Sequence, residues 1–455
     1  MSTTIVPDTQ WFRSTDGLGV LAGSPLTFFR VSQAGALVLN AIENSTPLPS
    51  AHQQLTERLL LAGAAHPMPS TQADAADITV VIPAFISDAT QLKNLQELIH
   101  LLHPLRVIVI DDCSPFSIEV RHAEVVSHRT NLGPGVARNT GLQLVMTPYV
   151  AFVDADTSIT ASQLQTLGAY LSDGRTQLVA PRVRTLDTRS ALSEYESHHS
   201  PLDLGAQPAV VRPLSRVSYV PAAVCVARTS TVTSVGGFST SMRLGEDVDL
   251  VWRLAKSGAV SRYVPHVECT HAARNSVRSL LRQRFGYGSS AASLDAQHPF
   301  TAAPLRAHAL LLAISVLILS GYLFFAALTL PIVFIYFAVT LRKTSLSVKQ
   351  RLRITVIGLV ATVRLTASAI TRAWWPIFFL TSIIFFRPGF ALALSAFAPV
   401  MFGLMRYKPQ HPIRYSVLRI LDPLAYCLGV WSGALRQRSL RCLVPVVTVR
   451  RSVSR

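Results

Sequence analysis

Val150 to Asp156 reads VAFVDAD, an apolar run that stops on two aspartates one residue apart. Successive apolar residues ask for a strand buried on both faces, which a parallel sheet covered by helices provides. Side chains alternate along a strand, so Asp154 and Asp156 at its end point the same way. The carboxyl ends of strands are where open α/β sheets bind their ligands. Two hard oxygen donors there suit Mg²⁺ or Mn²⁺, with phosphate oxygens completing the shell. A capped loop is the plainer alternative for the same residues.

The surrounding pattern agrees with such a sheet. Ile78–Ala84 predicts a strand, Thr90–Leu102 a helix, and Arg106–Ile110 a second strand ending on Asp111 and Asp112. Val125 and Val126 fall in a short strand, Pro134–Val145 in a helix with proline in its first turn, and Tyr149–Val153 in the next strand. Strands alternating with helices predict an α/β fold, a Rossmann-like and mostly parallel sheet.

Five further groups carry candidate chemistry. Asp111 and Asp112 stand where a carboxylate can accept from a nucleobase or ribose, although a strand-end aspartate also forms turns. Asn131–Asn139, NLGPGVARN, opens a helix whose start favours an anion and places Arg138 to fork onto phosphate. Gly236-Gly237-Phe238 and Leu244–Leu254, LGEDVDLVWRL, give a loop and an amphipathic helix with Glu246 and Asp247 in its first turn, while Asp249 reads as structural. His271 is a candidate third metal ligand beside Asp154 and Asp156. Arg282, Arg284 and Tyr287 follow on a basic helix that can clamp a diphosphate or meet lipid headgroups.

The ends of the chain differ from this middle. Residues 1–69 read as a small α+β module whose pattern resembles peptide-binding modules, with a packing lid as the alternative, followed by a polar linker at 70–77 within Met68–Asp77. In the module, Ser24–Val31 predicts a strand, and Ser32 caps a helix running through Ile42 to Asn44. Ser50 opens a second helix through Leu60 that stops at Gly63. Such a module has a marginal core and is expected to dock on something.

After residue 300 the chain turns apolar. Hydrophobic residues make up 49% of all 455, the net charge is +17, and mean hydropathy is +0.36. From Thr301 onward there are 19 Lys or Arg against one acid, Asp422, while the preceding 300 residues hold 23 basic and 24 acidic residues. Basic residues flanking apolar segments fit membrane lipids, and no base-reading motif supports nucleic acid as a partner.

Within 301–455, Leu305–Leu341 is long enough for two packed segments or one segment kinked at Pro331. Ile354–Ala373 is interrupted by Arg364, Pro376–Met405 carries a break at Arg387-Pro388-Gly389, and Leu418–Leu435 is amphipathic. This division predicts that the part ending near Pro304 folds without the tail. Five cysteines without metal-type spacing read as reduced packing residues. The amino terminus MSTTIVPDTQ lacks the features of a signal peptide and predicts a cytosolic start.

Taken in order, VVIPAF, IDDCS, NLGPGVARN, VDAD and GED resemble the inverting GT-A glycosyltransferases of family 2 over Ile78–His271, within a catalytic segment of 78–300. That resemblance implies nucleotide contacts from Asp111 and Asp112, metal-diphosphate contacts chiefly from Asp156 and secondarily from Asp154, and Asp247 as the base. The residues themselves add Arg138, Glu246 and Arg284 to Asp111, Asp112 and Asp154 as candidates for nucleotide-sugar contacts. Processive members carry QxxRW, whereas Arg282–Tyr287 here reads RQRFGY without the tryptophan.

The chain is more closely similar to the glycosyltransferases of the mycofactocin system. The likeness rests on Ser24-Pro25-Leu26, Val31-Ser32, HSPLDLG at 199–205, YVPAA at 219–223, LGEDVDLVWRL at 244–254 and YGSSAA at 287–292. It implies a UDP-glucose donor, a peptide-derived small-molecule acceptor, and a short β-glucan product made at the cytoplasmic face of a membrane. A transferase making a lipid-linked or cell-wall glycan, and a non-catalytic sugar-nucleotide or peptide-binding scaffold, stand as alternatives.

Overall fold

The computed structural model describes residues 3–48, 53–186 and 190–449. Its centre is a nine-stranded sheet. Across it run Thr157–Ser158, Val260–His271, Thr176–Thr185, Val224–Arg228, Tyr149–Val153, Ile78–Ala84, Arg106–Asp111 and Glu124–Ser127, with Ala209–Val211 pairing on Val260–His271. The strands at 157, 209 and 224 run against the other six. Val80, Ile82, Ala151 and Val153 pack into the layer on one face, and Val81, Val150 and Phe152 into the layer on the other. This is why VAFV is apolar throughout: alternate residues serve two cores.

The strands and helices expected between Ile78 and Val153 are present to within a residue or two at their ends. In the front module the strand is shorter, Thr27–Arg30, while Ser32 caps helix Gln33–Glu43 and accepts from the Gly35 N–H. Ser50 lies outside the described residues, and the second helix is described over Gln53–Leu61. Two small sheets complete the module, one of them pairing Thr3–Pro7 with Ala65–Pro69. Met68 and Pro69 are therefore strand residues and not linker.

The module is docked, as its small core requires. Asp8, 1% exposed at its side chain, accepts from His66 Nε2 at 2.9 Å and from Arg216 Nη2 of the catalytic part at 2.6 Å. Arg212 Nη2 donates to the Ser24 carbonyl at 2.9 Å. On its other side the Thr15 N–H donates to the Ser345 carbonyl at 2.9 Å, and Phe12 and Leu21 pack on Leu346.

Burial alone would raise the Asp8 pKa, but the hydrogen bonds from His66 and Arg216 overcome it and bring it down to about 2. A carboxyl whose pKa falls on folding contributes stability above its unfolded value, and that contribution is lost as pH drops towards the folded one. Asp8→Asn is therefore expected to cost about 2 kcal/mol at neutral pH. The difference from the native protein should shrink as pH falls from about 4 towards 2, as read by chemical denaturation.

Among the described residues, three helices are long and apolar enough to cross a membrane: Leu323–Thr344, Val348–Arg372 and Phe386–Tyr407. Of the two arrangements the sequence allows, two packed segments are present, helices Ala309–Leu319 and Leu323–Thr340, and Pro331 lies inside the second. The break falls at Gly321, whose φ of +75° lets the chain reverse after helix Ala309–Leu319. Arg387 explains its place in an apolar run by donating to the carbonyls of Ser320 and Gly321 at 3.2 and 3.4 Å. Arg387-Pro388-Gly389 form the first turn of helix Phe386–Tyr407, where proline's missing N–H is not needed, and the break precedes them.

The tail is built into the catalytic part rather than appended to it. Helix Pro412–Arg436 lies against helix Val277–Gln297, so close that a Cβ on Gly288 would strike the Tyr426 carbonyl and one on Gly429 the Phe285 carbonyl. Arg284, 2% exposed, donates from Nε to Asp422 Oδ2 at 3.0 Å, and the Tyr195 hydroxyl donates to the same oxygen at 3.0 Å. The one acid of the tail thus neutralises a buried cation of the catalytic part. A chain ending near Pro304 would leave that cation only the longer contact with Glu196, at 3.7 Å. Asp422→Ala is expected to destabilise the whole protein by about 2 to 3 kcal/mol, less than the ~3 to 5 kcal/mol for stranding a buried charge entirely, because Glu196 stays 3.7 Å from Arg284. Denaturation in detergent checks this, and a loss below about 1 kcal/mol would refute the tie.

Candidate active site

The carboxyl ends of the parallel strands gather most of the predicted residues into one cleft. Tyr149–Val153 delivers Asp154, whose N–H donates to the Ala223 carbonyl at 2.8 Å. Two residues on, Asp156 faces His271 from the end of Val260–His271, with Oδ2 and Nε2 3.1 Å apart. The other ring nitrogen, Nδ1, lies 2.8 Å from the Ala272 carbonyl. Burial would lower the His271 pKa, but the Asp156 carboxylate outweighs it and holds the pKa above its ordinary value.

Arg138 occupies the centre and is 4% exposed. It donates from Nη2 to Asp154 Oδ1 at 2.6 Å and from Nη1 to Glu246 Oε1 at 2.9 Å, while the guanidinium lies 5.2 Å from the Phe238 ring centroid. The expectation that it forks onto phosphate is not what the structure displays: its fork joins two carboxylates of the site. Asn139, one residue on, clasps the backbone of Phe238 in both directions at 2.8 Å and so fixes the GGF loop against this helix.

Glu246 and Asp247 begin helix Glu246–Lys256, where the dipole favours negative charge. Burial, then the neighbouring Asp247 charge, pushes the Glu246 pKa up to about 7. Asp247 is half-buried and also held above the usual carboxylate range, chiefly by burial. Its Oδ1 accepts from the Val248 N–H at 2.8 Å, and the neighbouring Ala222 backbone favours its charged form. The YVPAA segment therefore borders both sides, Ala223 bonded to the Asp154 N–H and Ala222 beside Asp247. These backbone groups escaped sequence reasoning because nothing in the side chains of alanine signals them. Asp249 is 1% exposed and bound to Arg253 and His298.

Three predicted residues stand apart from that cluster or are already engaged. Asp112 is saturated by its own surroundings: Oδ1 lies 2.8 Å from His128 Nδ1 and accepts from the Leu132 N–H at 2.9 Å, and Oδ2 accepts from the Gly133 N–H at 2.7 Å. It shapes the NLGPG loop. Asp111 gives one oxygen to the Ser114 N–H at 2.8 Å and is the more open of the two. Arg284 is turned away, towards Asp422 and Glu196.

The candidate metal donors are likewise divided. Among the described residues no three His, Cys, Asp or Glu side chains stand together at metal-binding spacing. Asp156 and His271 form a pair, and Asp154 is held by Arg138. The pair nevertheless fits a divalent cation in its chemistry, one oxygen and one nitrogen donor. Asp156 keeps 44% of its side chain open towards the cleft. Four carboxyls there face the Arg138 guanidinium and the His271 imidazole, with Arg274 also acting on the Asp156–His271 pair.

Comparison with known proteins decides what kind of cleft this is. Residues 79–213 match the model of glycosyl transferase family 2, and residues 149–341 that of glycosyl transferase family group 2. The chain is 35% identical over 453 residues to pre-mycofactocin glycosyltransferase of Mycobacterium tuberculosis (strain ATCC 25618 / H37Rv), covering 95% of each chain. This chain belongs to glycosyltransferase family 2, among the relatives of pre-mycofactocin glycosyltransferase.

The glycosyltransferase has the GT-A fold that its sequence predicted. Among solved structures it is similar to the mannosyltransferase PcManGT from Pyrobaculum calidifontis in complex with GDP-Man and Mn²⁺. That likeness has 17% identity, covers 50% of this chain and 67% of that one, and has a TM-score of 0.39. It is also similar to S. aureus TarS 1–349 in complex with UDP-GlcNAc, at 17% identity, 48% and 66% coverage and a TM-score of 0.37.

Proposed function

We propose that this glycosyltransferase moves glucose from UDP-glucose to a hydroxyl of a peptide-derived small molecule, with inversion, and builds a short β-glucan at the cytoplasmic face of a membrane. What carries this reading is the link from the start of the Asp247 helix to the Asp154 and Asp156 strand end, made by Arg138 between Glu246 and Asp154. Two reacting partners are thereby offered a base and a diphosphate site in one rigid frame. The likeness to pre-mycofactocin glycosyltransferase across the whole chain supports the acceptor. The three apolar helices support the membrane.

Asp156 and His271 would hold Mg²⁺ or Mn²⁺, which when bound neutralises the diphosphate leaving group. Asp111 at the mouth of its strand receives the nucleoside. Arg138 keeps Asp154 and Glu246 from repelling one another, so the acidic cleft stays closed-packed around the donor. Asp247 takes the proton of the acceptor hydroxyl as its oxygen attacks the anomeric carbon from the face opposite the departing UDP. One displacement inverts the configuration. Burial serves this step, because it raises the basicity of the carboxylate that must accept a proton.

The test uses membranes containing the full chain, incubated with UDP-glucose and with other nucleotide sugars in the presence of the peptide-derived acceptor, followed by mass measurement. Hexose increments on the acceptor are expected with UDP-glucose. Sugar found only in the lipid extract would assign the chain to lipid-linked glycan synthesis, and failure to release any nucleoside diphosphate would leave a binding scaffold.

A further inference from the structure

A cavity of about 270 Å³ lies between the front module and the central sheet, on lining residues that the transfer reaction does not use, among them His66, Met68, Tyr170, Arg262, Tyr263 and His266. It sits where strand Val260–His271 loses register with its parallel neighbour. Pro181 opposes Val264 but Arg182 opposes Glu268, so Pro265, His266 and Val267 are looped out of the ladder. Such bulges re-aim side chains and cluster at functional places. Here the loop brings His266 Nε2 to 3.5 Å from the Tyr170 hydroxyl.

Arg262 is the unusual member. It is 4% exposed, donates from Nε to Thr176 Oγ1 at 3.1 Å and reaches the Leu60 carbonyl only at 3.5 Å, and its buried Nη1 has no hydrogen-bond partner. Among the described residues it forms no salt bridge with a carboxylate, and Asp173 and Arg175 act on it with opposite sign. The acids nearest the cavity are taken: Glu268 by Arg182 and Arg184, and Asp8 by His66 and Arg216. A guanidinium removed from water without a counter-ion is costly, and an oxyanion received on its fork recovers that cost.

We propose that this seam cavity binds a small oxyanion, a carboxylate or phosphate group, on the Arg262 guanidinium, with the Tyr170 hydroxyl as a second donor. The volume admits a ligand of only a few heavy atoms beside the charged group. Because His66 and Met68 belong to the module and Arg262 to the sheet, an occupant touches both and fastens one to the other. The strand bearing Arg262 and His266 continues to His271, so the same occupant also stiffens the strand that ends in the active site.

The experiment is thermal unfolding of the detergent-solubilised full chain, titrated with acetate, succinate or inorganic phosphate against sodium chloride at equal ionic strength. A saturable rise in Tm with a carboxylate or with phosphate is expected, and which of the two acts identifies the group recognised. Tyr170→Phe, which keeps the ring and removes the donor, should weaken the apparent affinity several-fold. Arg262→Met should weaken it by about tenfold or more, as expected for losing a hydrogen bond to a charged group. Asp156→Ala should leave it unchanged, which separates this site from the diphosphate site. Should Arg262→Met fail to fold, Tyr170→Phe decides. No rise beyond chloride overturns the proposal, and so does a rise that survives Tyr170→Phe unaltered or disappears in Asp156→Ala.

Discussion

Replacing Asp247 by Asn is expected to leave UDP-glucose binding nearly intact while lowering turnover by about 10² to 10⁴, the usual contribution of a general base. The amide has the same shape and can still meet the Val248 and Ala222 backbone groups, but it cannot take a proton. Burial holds the Asp247 pKa above the ordinary carboxylate range. Turnover of the native protein should therefore rise as pH climbs through that pKa, and the Asn variant should lack this limb. Measuring kcat and donor affinity across pH separates the roles: equal losses in both would make Asp247 a binding or structural residue instead.

Asp156→Ala is expected to abolish turnover and divalent-dependent nucleotide binding, because it removes the open carboxylate of the Asp156–His271 pair. His271 alone is a single neutral donor and cannot organise a cation and a diphosphate. Asp154→Ala should be milder in nucleotide binding, since Asp154 already spends an oxygen on Arg138. Release of UDP with and without excess chelator reads both effects. Full activity of Asp156→Ala, or of the native protein in chelator, would show that the diphosphate leaves without metal.

Much of the frame was legible because its signals are local. VAFV is apolar at every position since its residues serve two cores, and Ser32 announces a helix by the oxygen it offers to Gly35. The two apolar segments were legible, but Pro331 did not mark their division, because a proline can sit inside a helix, whereas Gly321 supplied a left-handed residue where a turn had to form. Arg284 misled for a different reason. A basic residue near a motif attracts a ligand reading, but its partner Asp422 is 138 residues away in sequence.

By itself the sequence determined the order of strands and helices in the α/β part, the positions of the acidic groups at strand ends, the apolar basic tail and the family. These follow from side-chain periodicity and from motifs read along the chain. Tertiary structure alone decided which charges meet. It gave Arg138 to Asp154 and Glu246 instead of to open solvent, closed Asp112 on its own loop, paired Asp156 with His271, and left Arg262 without an acid beside the seam. The reason is physical: a charge buried in a low dielectric takes its pKa and its role from the groups within a few ångströms. Those neighbours come from strands and helices far apart in the chain.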